Sequence, residues 1–172
     1  MLADILLVTI LLICVITDLK SRKIYNKVIF PGLLVAVVLH LIMGGWAGLI
    51  SSLIGFGVGL AILFIPYMLG GMGAGDVKLL ALIGALKGAV FVLNTAVYMA
   101  IVGGLIAVAI LIFRKGFIER MKSIFYFFYG LRYGTRIPLG MNKNSLSATY
   151  PYGVAIAAGA VIALVDKGWL FT

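Results

Sequence analysis

Acidic residues are scarce in this chain. It has five Asp and Glu in 172 positions, against fourteen Lys and Arg, and charged residues of both signs make up only 11%. A soluble globular surface needs far more polarity, and the 64% hydrophobic content instead fits a chain solvated mostly by lipid. There is one cysteine, Cys14, which excludes both an internal disulfide and a CxxC-type zinc site. It lies inside the first apolar run and reads as a small buried thiol. A basic leader region and a small-residue cleavage site are also missing around the apolar run Ile5–Ile16, so that run is expected to be an uncleaved first helix and not a secretory signal.

What the chain does have is apolar runs. A bilayer core about 30 Å thick takes roughly 20 apolar residues per helical span. Six candidate spans are read, at about Leu2–Thr17, Val28–Met43, Leu49–Leu69, Asp76–Leu86, Val90–Phe113 and Tyr150–Val165. The fourth is short, which suits a tilted helix or one beside a water-filled hollow. The expected fold class is therefore all-α integral membrane: a six-transmembrane-helix bundle forming one polytopic domain over residues 1–172.

The cations order that bundle. Lys20, Arg22, Lys23 and Lys27 follow the first run, and Lys78 lies beside the link from the third. Arg114, Lys115, Arg120, Lys122, Arg132, Arg136 and Lys143 lie between the fifth and sixth. Only Lys87 and Lys167 fall on the other side. By the positive-inside rule the odd-to-even links are cytoplasmic and the N-terminus is outside. The net charge of +9 is mostly this topology signal, with attraction to anionic membrane lipids added to it. Nucleic acid is not an expected partner of so apolar a chain. Between spans five and six, Phe117, Ile118, Met121, Ile124, Phe125 and Phe128 recur at three- and four-residue steps among Arg120 and Lys122. That pattern predicts a basic interfacial helix within Phe117–Arg136, anchored in lipid.

Against this background two carboxylates stand out. Asp18 ends the first span and Asp76 begins the fourth, so both are expected at the cytoplasmic face. Ionisable groups at the edge of hydrocarbon are costly and point to function. Asp76 belongs to Gly70-Gly71-Met72-Gly73-Ala74-Gly75-Asp76-Val77-Lys78-Leu79, in which glycines let a second backbone come close directly before a helix. The plainer reading is a flexible turn with Asp76 as a helix cap. Asp18 lies in Thr17-Asp18-Leu19-Lys20-Ser21-Arg22-Lys23-Ile24-Tyr25-Asn26. The plainer reading there is a helix end with snorkelling cations, yet a carboxylate at a helix C-terminus opposes the helix dipole. Face to face, the two acids make an acid–base pair able to activate water.

These motifs, together with Tyr150-Pro151-Tyr152-Gly153-Val154-Ala155-Ile156-Ala157-Ala158-Gly159-Ala160 in the last span, resemble the type IV prepilin peptidases, a family of GxGD membrane aspartyl proteases. In this form they are most similar to the small prepilin peptidases of tight-adherence (Tad/Flp) pilus systems. The resemblance implies an enzyme of the prokaryotic cytoplasmic (inner) membrane. Such an enzyme removes the short basic leader of a prepilin or pseudopilin at the cytoplasmic face. It also implies Asp18 and Asp76 as the catalytic pair, and Gly73 and Gly75 as the glycines that admit the substrate. Arg22, Asn26 and Lys78 match family positions and would position substrate or loops. An aspartyl mechanism requires no metal and no diffusible cofactor.

One departure from the family pattern bears on activity. Many relatives carry an extra cytoplasmic region with paired cysteines, associated with methylating the new N-terminus. Here only Thr17–Lys27 separates the first two spans and CxxC is absent, so peptidase activity is expected without N-methylation and without a separate methyltransferase domain.

The remaining polar and glycine positions read as structural. Asn94 and Tyr98 share a helix face and are expected to hydrogen-bond between helices. His40 reads as interfacial, and Pro66 as a bend before the glycine loop. Gly55, Gly57 and Gly59, with Gly103 and Gly104, read as sites of close helix packing.

A structural or assembly subunit that uses its buried acids for packing alone stays open from the residues, and so do two further readings. One is a small ion- or proton-coupled transporter, although both acids lie at one face and no inverted repeat is visible. The other is a preflagellin or signal-peptide-type GxGD peptidase. The sequence carries no signal of oligomeric state.

Overall fold

The computed structural model describes residues 2–113 and 152–166, which form five α-helices. They are α1 (Leu2–Ser21), α2 (Asn26–Met68), α3 (Ala74–Lys87), α4 (Ala89–Phe113) and α5 (Tyr152–Val165). No strand occurs among the described residues. The chain divides into two compact units, one of residues 1–103 with 151–172 and one of residues 104–150. Of the second unit only residues 104–113, the end of α4, are described, and the expected interfacial helix Phe117–Arg136 lies outside the described residues. Among the described residues, three helices are long and apolar enough to cross a membrane: α1, α2 and Ala89–Ile110 of α4.

At 43 residues, α2 would be about 65 Å long if straight, roughly twice a bilayer core. It is not straight. Gly45 has φ 55° and ψ −141°, a conformation that side-chain-bearing residues rarely adopt. Three residues later, a Cβ placed on Gly48 would lie 2.2 Å from the His40 carbonyl oxygen. Residues eight apart in a continuous helix are separated by about 12 Å. The chain therefore doubles back at Gly45, between the expected second and third apolar runs, and α2 is a helical hairpin.

The second arm of that hairpin packs closely on α3. A Cβ on Gly55 would meet the Gly84 carbonyl oxygen at 2.0 Å, and one on Gly59 would meet the Leu80 carbonyl oxygen at 2.6 Å. Ser52 donates from its hydroxyl to the Ala85 carbonyl at 2.9 Å. Ser52, Gly55 and Gly59 follow at steps of three and four, so they share one face of the helix. Gly57 lies off that face, with nothing within 4 Å of its would-be Cβ. The sequence grouped three glycines as packing sites, and two of them pack.

α3 is the centre of this unit. Asp76, Val77 and every residue from Leu79 to Leu86 are buried. An α-helix that is apolar all round belongs inside protein. At 14 residues it is about 21 Å long, short of the bilayer core, which accounts for the short fourth run in the sequence. It contacts α1, α2 and α5.

α5 lies against the first part of α4, where a Cβ on Gly159 would be 2.6 Å from the Met99 amide nitrogen. The Tyr98 hydroxyl donates to Asp166 just beyond α5, an interhelical link of the expected kind. Asn94 differs from expectation. It is fully buried with Thr95, and among the described residues neither side chain has a hydrogen-bond partner.

Candidate functional site

Asp18 lies in the last turn of α1, and Asp76 in the first turn of α3. Both are buried, at 6% and 9% relative exposure, although each stands one turn from a helix end. α1 and α3 are in contact, and Asp18 lies within electrostatic reach of Asp76. Two carboxylates that the sequence separates by 58 positions thus share one buried corner of the bundle.

The setting of Asp18 resolves its conflict with the α1 dipole. Its Oδ2 accepts a hydrogen bond from the Gly153 backbone N–H at 3.0 Å, and the Val154 N–H also points to it. These amides belong to the first turn of α5, the positive end of that helix's dipole and a place where backbone N–H groups lack intrahelical partners. The carboxylate is held by the start of α5 as well as by its basic neighbours. A Cβ on Gly153 would lie 2.7 Å from Asp18 Oδ2, so the contact requires glycine. Gly153 thus joins the candidate site, and its signal in the sequence is a glycine one residue inside a helix start.

α1 ends at Ser21, three residues after Asp18. Arg22 adopts a left-handed φ of 50°, uncommon for a residue with a side chain, and its N–H donates to the Asp18 carbonyl at 2.8 Å. Its guanidinium also acts electrostatically on Asp18. Four residues later α2 begins at Asn26.

Asp76 is the helix cap that the plainer reading foresaw. Its Oδ2 accepts from the Gly73 N–H at 3.1 Å, and its own N–H donates to the Gly73 carbonyl at 3.1 Å. Gly73 has no side chain to complete the reciprocal half of a capping box. The cap fixes the rotamer of Asp76 through one oxygen, and no further hydrogen bond to its carboxylate occurs among the described residues. Capping and chemistry are therefore compatible in this side chain.

The glycine loop and the α1–α2 link meet at Gly75. A Cβ there would lie 2.9 Å from Ile24 Cβ, so glycine allows the link carrying Ile24 to seat against the loop carrying Asp76. One turn on, Lys78 Nζ donates to Asn26 Oδ1 at 3.1 Å and lies 5.8 Å from the Phe30 ring centroid. Of the residues expected to position substrate or loops, Asn26 and Lys78 are brought together, and Arg22 sits beside Asp18.

Chemically, the corner offers two buried carboxylates, each held by backbone N–H donors, next to a glycine loop. Among the described residues no group of three or more His, Cys, Asp or Glu side chains converges as a metal cluster would. His40 is far off, beside a hollow at the turn of α2 that is also lined by Lys87.

Comparison with protein families matches residues 5–108 to the type IV leader peptidase family, a stretch covering more than half of the chain and containing both Asp18 and Asp76. α5 and its Gly153 lie beyond the matched stretch. No curated protein and no solved structure matches the chain.

Proposed function

The chain belongs to the type IV leader peptidase family, and from that premise we propose that it is an aspartic endopeptidase whose catalytic pair is Asp18 and Asp76. The observation that carries this reading is the convergence of those two buried carboxylates at one corner of the bundle. The proposed substrate is a prepilin or pseudopilin of the Tad/Flp kind, cut after its short basic leader and before its apolar helix.

In this mechanism one carboxylate is ionised and takes a proton from water as the water oxygen attacks the scissile carbonyl. The other is protonated and donates to the carbonyl oxygen, giving a neutral tetrahedral diol. Collapse of the diol breaks the C–N bond, and a proton passes to the leaving amine. The proton shared by the dyad belongs to the pair, so the two roles are not divided between Asp18 and Asp76. Gly73 and Gly75 let a substrate backbone lie against the site, and the Gly153 and Val154 amides hold Asp18 in place through the cycle.

The proposed setting is the cytoplasmic membrane of a prokaryote. The N-terminus lies outside, six spans count the two arms of α2 separately, and the dyad faces the cytoplasm. Basic residues after α1 support that orientation. The link between α1 and α2 is only residues 22–25, which supports peptidase activity without N-methylation.

Co-expression with a Flp-type prepilin tests this reading by the mass of the product. Removal of the leader with an unmethylated new N-terminus is expected. A prepilin left intact beside abundant membrane-inserted protein would contradict it, and a methylated product would contradict the absence of methyltransferase activity.

A further inference from the structure

α1 and α3 meet at both of their ends. Near one end Asp18 lies within electrostatic reach of Asp76. At the other, Lys87 Nζ lies 2.6 Å from Asp4 Oδ1, an ion pair between residues 83 positions apart. Asp4 and Asp18 are separated by about 21 Å along α1, and Asp76 and Lys87 by about 16 Å along α3, at 1.5 Å per residue. The two helices therefore run antiparallel, with one titratable pair at each end.

α3 is bracketed by glycines in left-handed conformations. Gly70, in the loop before it, has φ 73°, and Gly88, directly after it, has φ 86°. Toward the Asp76 end Lys78 is bonded to Asn26 of α2, and toward the Lys87 end Ser52 of α2 holds the Ala85 carbonyl. Those bonds fix α3 to α2. Among the described residues the Lys87–Asp4 pair is the only polar side-chain link between α3 and α1, the helix that carries Asp18.

Packing on α2 reaches that far end, where Ala85 and Leu86 are buried, and Lys87 itself is only partly buried. Lys87 borders two hollows, one of about 350 Å³ with Leu2, His40 and Met43, and one of about 500 Å³ with Asp4, Phe91 and Leu164. Between them the ammonium is held by Asp4 and lies 5.2 Å from the Phe91 ring centroid. The pair is only partly exposed, at 25% and 39% of the two side chains, so water and salt screen it less than a surface ion pair.

We propose that Lys87 and Asp4 are positioning residues for the dyad, with their ion pair setting the register of α3 on α1 that holds Asp76 against Asp18. The inference rests on the peptidase reading given above. The pair touches neither substrate nor the reacting atoms and acts through the helices.

The experiment measures prepilin cleavage in membranes at matched protein levels for Lys87→Met, Asp4→Asn, Lys87→Arg and the exchanged pair Asp4→Lys/Lys87→Asp. Either single neutral variant should lower kcat by about tenfold or more with KM little changed, since small misplacements of reacting groups cost this much. Lys87→Arg and the exchanged pair should recover most of the rate. A second readout needs no activity. With Cys14→Ala, Asp18→Cys and Asp76→Cys in place, cross-linking by a short bifunctional maleimide should slow when Lys87→Met is added and recover with the exchanged pair. Unchanged kcat, unchanged cross-linking, or an exchanged pair as poor as the single variants overturns the proposal. If Lys87→Met fails to accumulate, Asp4→Asn carries the same test. If the otherwise wild-type protein cleaves no prepilin, the peptidase reading fails, and the cross-linking rates decide the positioning claim alone.

Discussion

Asp18 accepts a hydrogen bond from the backbone N–H of Gly153 at 3.0 Å, across 135 positions of sequence. One contact thereby joins the last turn of α1 to the first turn of α5. It turns a carboxylate opposed by its own helix dipole into one supported by another's. It also ties the final described helix to the proposed catalytic corner.

Gly153→Ala is the direct test of that contact. The added Cβ would lie 2.7 Å from Asp18 Oδ2 and must push either the carboxylate or α5 away. We expect prepilin cleavage to fall by about tenfold or more with the protein still accumulating in the membrane. Steady-state rates at matched membrane levels check this, and full activity would show that α5 does not hold Asp18.

How far the site was legible in the sequence depends on the distance over which each relationship acts. Asp18 and Asp76 stand out because charge inside apolar sequence is conspicuous. The loop before Asp76 stands out by its glycines, and Asn26 and Lys78 only through the family resemblance. The α2 reversal falls in the gap between the second and third apolar runs. The Asp18–Gly153 contact was not legible, because nothing local to either residue reports a partner so far along the chain. The same holds for Asp4 and Lys87, each of which looked like a lone charge at a span end. Gly57 was misgrouped with Gly55 and Gly59 by proximity, although the four-residue step separates it from them on a helix. Asn94 was expected to bond across helices, and its burial without a partner is a packing outcome that no sequence period reports.

The α2–α3 crossing gives a paired prediction. Helices in lipid associate by close packing, and Gly55 and Gly84 bring their backbones into direct contact. Gly55→Leu should therefore force α2 from α3, lowering membrane abundance and the midpoint of denaturant-induced unfolding. Gly57→Ala meets open space and should change stability by no more than about 0.5 kcal/mol. Equal effects of the two substitutions would refute the face assignment.

Asn26 and Lys78 form one link, so their substitutions should not add. A hydrogen bond to a charged group contributes about 1.5–3 kcal/mol when well buried, and this exposed one should contribute less. Asn26→Ala, Lys78→Met and the double variant are expected to slow cleavage by similar factors, as a double-mutant cycle would record. If Lys78→Met alone raised KM while Asn26→Ala did nothing, Lys78 would be binding substrate directly.

The most direct measurement compares wild type with Asp18→Asn, Asp76→Asn and the double variant for leader removal from a co-expressed Flp-type prepilin, at matched membrane levels. Asparagine keeps the size and removes the acid–base chemistry. Each single variant should abolish cleavage, and the double variant should be no worse than either, because the two carboxylates act as one unit. Cleavage by either single variant at the wild-type rate would contradict the paired-aspartate mechanism.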